Sequence, residues 1–409
     1  MKRISVTTLA LALALCATTG VVLTPQAAIA QKKSKAPTLK LSDPVRKAIG
    51  EAQAAVKAND AATAAAKVAE AKAAAQSDDD RYVVFSQQYD VARLQNNPKS
   101  QAEAIDGMLQ SGKVPVENQG QFYTALGQLS YQANDFAKAE QALDQAVQRD
   151  ASNKDILALL AEAKYKNRKP AEAVALIQRA ADAGDASGQP IPKEWYGRGI
   201  AMGMEAKLAD PVAKLSRSWL KNYPDKTNWR DSLIIYRDLH PMDAEANLDL
   251  MRLQRAAGAL KGERDYAELA EATYLKFPGE AKGVVDEGVA AGALNTAKSQ
   301  SIKEMAGIAA GKIAADKASL KKSAANGRAA LGIADAYASY GDYASAIEMY
   351  TKAESLGGVD ANTIKLRKGA ALFKSGQKDA AKQLFATVTG PRADLAQYWV
   401  LLIDRPPAA

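Results

Sequence analysis

Few residues in this chain could do covalent or metal chemistry. His240 is the only histidine and Cys16 the only cysteine. A histidine-based triad, a multi-histidine metal site, an internal disulfide and a multi-cysteine metal site are therefore excluded. His240 precedes Pro241 at the end of a helical stretch, where its expected role is a C-terminal cap. Asp78, Asp79 and Asp80 read as helix N-terminal acids complementing the dipole, because three consecutive side chains point in different directions around a helix and do not converge on an ion. Gly197, Gly199 and Gly203 lack the preceding strand and the spacing of a phosphate loop. Neither a Gly-x-x-x-x-Gly-Lys-Ser/Thr run nor a Gly-x-Ser-x-Gly elbow occurs. Trp195, Trp219 and Trp229 admit two readings: filling wide gaps between irregular helices, or forming an aromatic ligand shelf. The sequence predicts no enzyme activity, no metal and no cofactor.

What must position any site is helix. The chain is alanine-rich, with 6% aromatic residues, and no alternating strand pattern persists after residue 42. From Gly120 to Gly184 two helical hairpins follow one another in a 34-residue register: Leu126, Gly127, Ala139, Leu143 and Ala146 fall over Leu160, Ala161, Ala173, Ile177 and Ala180. Polar turns at Asn134-Asp135-Phe136 and Arg168-Lys169-Pro170 separate the paired helices. Self-similarity at this period marks stacked helical repeats. Small residues let the helix backbones approach closely, and larger neighbours fill the surrounding grooves.

These anchors resemble tetratricopeptide repeats of the exported bacterial type. Tyr123, Leu126-Gly127, Ala139, Leu143 and Ala146 occupy the family's pattern, and Asn134-Asp135-Phe136 matches its usual turn. Ser130 departs from it where an aromatic is usual, with Tyr131 one place later. The pattern returns at Ile333-Ala334, Tyr337, Gly341-Asp342-Tyr343, Ala346, Tyr350 and Ala353, and again at Gly369, Leu372, Gly376, Ala381, Phe385 and Val388. The resemblance implies an all-α fold, a right-handed α-solenoid of stacked helical hairpins. It further implies an inner groove lined by the first helix of each hairpin, here Gln121, Thr124, Gln128 and Tyr131, then Asp155, Ala158, Glu162 and Tyr165. The family's carboxylate-gripping arrangement needs lysine and asparagine at several of these positions. Thr124, Gln128, Ala158 and Glu162 stand there instead, so that ligand class is not supported. Gly107-Met108-Leu109-Gln110 has a slight likeness to a motif of ring-shaped cell-wall lytic enzymes, in a different order and with no catalytic domain after it.

The N-terminus reads as an export signal. Lys2 and Arg3 precede an apolar run, and Ala28-Ile29-Ala30 supplies small residues for cleavage after Ala30. Lipid attachment at Cys16 is disfavoured by the bulky Leu15 before it. The expectation is a periplasmic protein with no transmembrane segment after cleavage. The signal holds two basic and no acidic residues, which takes the formal +8 to +6, and Lys32, Lys33, Lys35 and Lys40 account for four more, leaving the body near +2. Such a body gives no electrostatic case for nucleic acid.

The expected organisation is a signal at 1–30, a flexible basic linker at 31–43, and an N-terminal array at 44–187 with its clearest repeats at 120–153 and 154–187. A degenerate middle follows at 188–326, then a C-terminal repeat pair at 327–409 whose last helix, carrying Trp399, caps the open end. Function is read as a non-enzymatic scaffold holding a protein or peptide partner in its groove, serving cell-envelope assembly or maintenance. The alternative is a carbohydrate- or cell-wall-binding module using the central tryptophans.

Overall fold

A computed structural model describes residues 39–320 and 324–405. The signal segment and most of the linker lie outside the described residues. Among those described there are α-helices and one short 3₁₀ turn, and no strand. They divide into two compact units, one ending at Ala206 and the other starting at Lys207. The stretch 188–206 therefore belongs with the first unit.

The first unit holds α1 (Asp43–Lys57), α2 (Ala61–Ala74), α3 (Asp78–Leu94), α4 (Pro98–Gln110), α5 (Val116–Gln132), α6 (Phe136–Arg149), α7 (Lys154–Lys166), α8 (Pro170–Ala186) and α9 (Lys193–Glu205). Consecutive helices pair as antiparallel hairpins. One turn design recurs. A residue in the left-handed region ends the first helix and a capping residue opens the second: Asn59 before Asp60, Asn96 before Asn97, Asn134 before Asp135. In each, the capping side chain accepts from the backbone N–H three residues on, satisfying a donor the helix itself leaves free.

The aligned anchors are the contacts that close the hairpins. Leu126, Ala139, Leu143 and Ala146 are buried, as are Leu160, Ala161, Ala173, Ile177 and Ala180. A Cβ at Gly127 would lie 2.4 Å from Leu143 Cγ, so this crossing requires glycine unless Leu143 shifts. Gly107 is held in the same way, 2.4 Å from Phe85 Cγ by that measure, and Met108 beside it is fully buried. Their segment packs the α3–α4 hairpin. Asp80 forms a capping box with Ser77 at the start of α3 and also accepts from the Ser42 N–H. The three aspartates are N-terminal acids, as their sequence position implied.

The second unit holds α10 (Ala209–Asn222), α11 (Lys226–Leu239), α12 (Ala244–Ala256), α13 (Gly262–Thr273), α14 (Pro278–Ala290), α15 (Gln300–Ser319), α16 (Gly327–Ser339), α17 (Tyr343–Leu356), α18 (Ala361–Lys374), α19 (Lys378–Phe385) and α20 (Ala393–Asp404). One of its cores joins Leu220, Trp229, Leu233 and Tyr236 from the beginning of the unit to Leu372, Phe385, Tyr398 and Trp399 from its end. The last helix is held from more than one direction. Phe385 stacks on Trp399 at 5.7 Å on one side of α20, and Tyr236 meets Tyr398 edge-on at 5.8 Å on the other. The helix is therefore covered on two sides, because its aromatic residues are distributed around it and cannot all be buried by α19 alone.

Candidate partner-binding groove

In the first unit the first helices of successive hairpins, α5, α7 and α9, place a run of polar and aromatic side chains side by side. Arg198 on α9 reaches back to Glu162 on α7 through a forked pair of hydrogen bonds at 2.8 and 3.0 Å. The same guanidinium lies over the Tyr165 ring, 4.8 Å from its centroid. The Tyr165 hydroxyl donates to Glu205 at the end of α9. Tyr131 on α5 packs edge-on against Phe136 at 5.2 Å and feels the charges of both Glu162 and Arg198. Its hydroxyl is pushed up chiefly by burial, that of Tyr165 chiefly by the bond to Glu205.

Of the residues picked from the sequence, Tyr131, Glu162 and Tyr165 are brought together. Gln121 and Asp155 are exposed near the starts of their helices. Thr124 turns its hydroxyl back to the Gly120 carbonyl at 2.9 Å, and Gln128 is half-buried. Arg198, central to the strip, was missed. It lies 36 residues after Glu162, one repeat on, but beyond the Gly-Ser-Pro break that ended the clear register.

The opposite side of the same hairpins is closed by charge. Lys164 meets Glu140 at 2.9 Å and Glu172 at 2.8 Å, while Lys169 and Asn167 also reach Glu140 at 2.7 Å. These partners outweigh the burial that would raise the Glu140 carboxyl and hold it down at about 2. This network locks α6, α7 and α8 together.

Trp229 has no open face to offer a ligand. It is fully buried against Tyr398, at 6.4 Å between ring centroids, because α11 presents it to a core of the second unit. Trp195 and Trp219 are half-buried. Gly197, Gly199 and Gly203 all lie within α9, a helix with no strand before it and hence no phosphate loop.

Inside the second unit a small cavity of about 50 Å³ is lined by Asp249, Arg252, Glu280, Tyr343, Arg367 and Lys374, among others. Its charges are largely spent on one another. Arg367 meets Asp249 at 2.8 Å and Asp335 at 2.9 Å, Arg252 meets Glu280 at 2.6 Å, and Tyr350 donates to Asp335 at 2.7 Å. No helix among the described residues is long and apolar enough to cross a membrane.

Residues 130–189 match the family model for the tetratricopeptide repeat. No curated protein sequence matches the chain. Among solved structures it is similar to a tetratricopeptide repeat protein from Parabacteroides merdae, at 11% identity over 80% of this chain and 99% of that one, with a TM-score of 0.31. It is also similar to Naa15/Naa10 bound to HypK-THB, at 14% identity over 86% of this chain and 63% of that one, with a TM-score of 0.29. A third is the TPR2AB-domain:pHSP90 complex of yeast Sti1, at 14% identity over 71% of this chain and 100% of that one, with a TM-score of 0.24. At such scores the family assignment stands on the 130–189 match and on the hairpins themselves. Repeats of this family form scaffolds for protein–protein interaction. The matched segment has the buried small-residue crossings and capped turn of a tetratricopeptide repeat, and the rest of the described chain is likewise built of α-helices.

Proposed function

We propose that this protein is a non-enzymatic scaffold that holds an extended protein segment along the α5–α7–α9 face, exported to the periplasm and serving the assembly or maintenance of the cell envelope. The observation that carries the binding reading is the strip of Tyr131, Glu162, Tyr165, Arg198 and Glu205, continuous across three repeats. Tyrosines contribute contact area at little cost in rotamer entropy, and the paired charges set polarity along the strip. The export reading is supported by Lys2-Arg3, the apolar run after them and Ala28-Ile29-Ala30.

The test is crosslinking in intact cells, comparing the parent with Tyr131→Ala/Tyr165→Ala/Arg198→Ala. Envelope proteins should be captured by the parent and lost from the triple variant. Capture that persists undiminished in the variant would overturn the groove assignment. Capture of cytoplasmic proteins alone would overturn the localisation.

A further inference from the structure

We propose that Asp210, His240 and Asp394 in the second unit form a divalent-cation site suited to Zn²⁺. One donor atom from each of the three lies within 4.8 Å of the others. A single histidine excludes multi-histidine sites, but not a nitrogen with two carboxylates, and these residues are too far apart in sequence to suggest each other.

The histidine supplies the argument that acids alone would not. His240 caps α11, and its Nδ1 lies 2.9 Å from the Tyr236 carbonyl oxygen. A carbonyl only accepts, so Nδ1 carries a proton, and in the neutral form of the ring the lone pair is on Nε2. The Tyr236 ring stacks on the imidazole at 4.1 Å and fixes its plane. Nε2 is shut off from solvent, has no hydrogen-bond partner, and sits 3.5 Å from Asp210 Oδ1. A lone pair directed at carboxylates is repulsive unless a positive centre lies between them. The backbone bond at Nδ1 is also the outer-shell contact that orients a metal-binding histidine.

The groups facing this gap are Asp210 and Asp394, which are acidic, Arg217, and the phenols of Tyr236 and Tyr398. Arg217 pairs with Asp394 at 2.8 Å and orients that carboxylate. Tyr398, one turn after Asp394, is fully buried, with Arg217 beside its phenol. With a neutral imidazole the three charged groups sum to one negative charge, which favours a cation. One nitrogen and two carboxylate oxygens suit Zn²⁺ better than Ca²⁺ or Mg²⁺, which take oxygen. Bonds of about 2.0–2.2 Å require the donors to draw together. Asp210, with a side chain 93% exposed, is free to swing inward. Asp210 opens α10, His240 ends α11 and Asp394 opens α20, so the ion would staple the first hairpin of this unit to its last helix.

The test uses the full chain without an affinity tag, stripped by chelator, ¹⁵N-labelled and titrated with Zn²⁺. As the sequence has one histidine, one pair of imidazole resonances reports directly on the site. One equivalent of Zn²⁺ should move the Nε2 resonance and leave Nδ1 protonated. Asp210→Asn should weaken uptake at least tenfold, and His240→Gln should abolish it. Should His240→Gln fail to fold, the exposed Asp210→Asn still decides. No stoichiometric uptake, uptake unchanged in Asp210→Asn, or resonances that respond to pH and not to Zn²⁺ would each overturn the site, the last assigning the gap to a proton.

Discussion

The two units bury charge in opposite ways. In the first, the Lys164–Glu140 network joins residues 24 apart, within neighbouring hairpins, and its members keep some contact with water. In the second, Arg367 on α18 reaches Asp249 on α12, 118 residues away, with both side chains almost completely buried. The first arrangement ties each repeat to the next. The second makes distant helices of one unit mutually dependent, so its stability is less divisible than that of a simple repeat array. Burial penalises every charge in that interior, and Arg367 is held in the charged form by Asp249 and Asp335.

The largest expected effect lies there. Arg367→Met should destabilise the second unit by about 3 kcal/mol, because Asp249 and Asp335 would remain buried without their main counter-charge. Arg252 and Arg392, 3.8 and 3.7 Å from Asp249, moderate the loss. Hydrogen exchange measured by mass spectrometry should show protection falling across α10–α20 and holding in α1–α9. Loss of protection confined to α18 would show that the network does not unify the unit, and the contrast would fail. A smaller effect is expected in the first unit. Ala139 and Ala173 have no exposed surface, so leucine at either should overpack its hairpin at about 2 kcal/mol. Exchange should quicken in that hairpin and its neighbours only, and a melting temperature equal to the parent's would show the 34-residue register to be wrong.

The same contrast explains what the sequence could reveal. Ala139, Leu143, Ala173 and Ile177 were legible because each contact lies inside one repeat and recurs at a fixed spacing. Tyr131, Glu162 and Tyr165 were legible for the same reason. Arg198 was not, since the glycine–serine–proline break hides its register, although a helix of the right length resumes beyond it. Trp229 and Trp399 were illegible in another way. A tryptophan's type does not say which face of its helix will be covered: Trp229 is covered by Tyr398 from a helix remote in the chain, Trp399 by Phe373 and Phe385 from the two helices before its own. Arg367, Asp249 and Asp335 read as ordinary surface charges until three helices bring them together. His240 showed its capping role in sequence, whereas its neighbours Asp210 and Asp394 could be found only in space.

The smallest effect concerns the turns, and there the sign reverses. Asn134 and Arg168 occupy matching turns of consecutive hairpins, both in the left-handed region at φ +61°. Asparagine tolerates that conformation, while arginine's Cβ is crowded by the backbone. In the second unit Gly341, at φ +77° and just before the capping Asp342, already avoids the cost. Arg168 is exposed, and its backbone N–H donates to the Tyr165 carbonyl at 3.0 Å, beside the bond from the Lys169 N–H to the Lys164 carbonyl that also closes the turn. Both bonds survive substitution. Arg168→Gly should therefore stabilise the first unit by about 0.5 kcal/mol, the relief of strain exceeding glycine's greater loss of freedom on folding. Gly341→Arg should destabilise the second unit by about 1 kcal/mol. Thermal melts of the two variants should move in opposite directions. Melts moving in the same direction would mean that the αL positions of the two units are not equivalent, and that the shared turn design does not extend from one unit to the other.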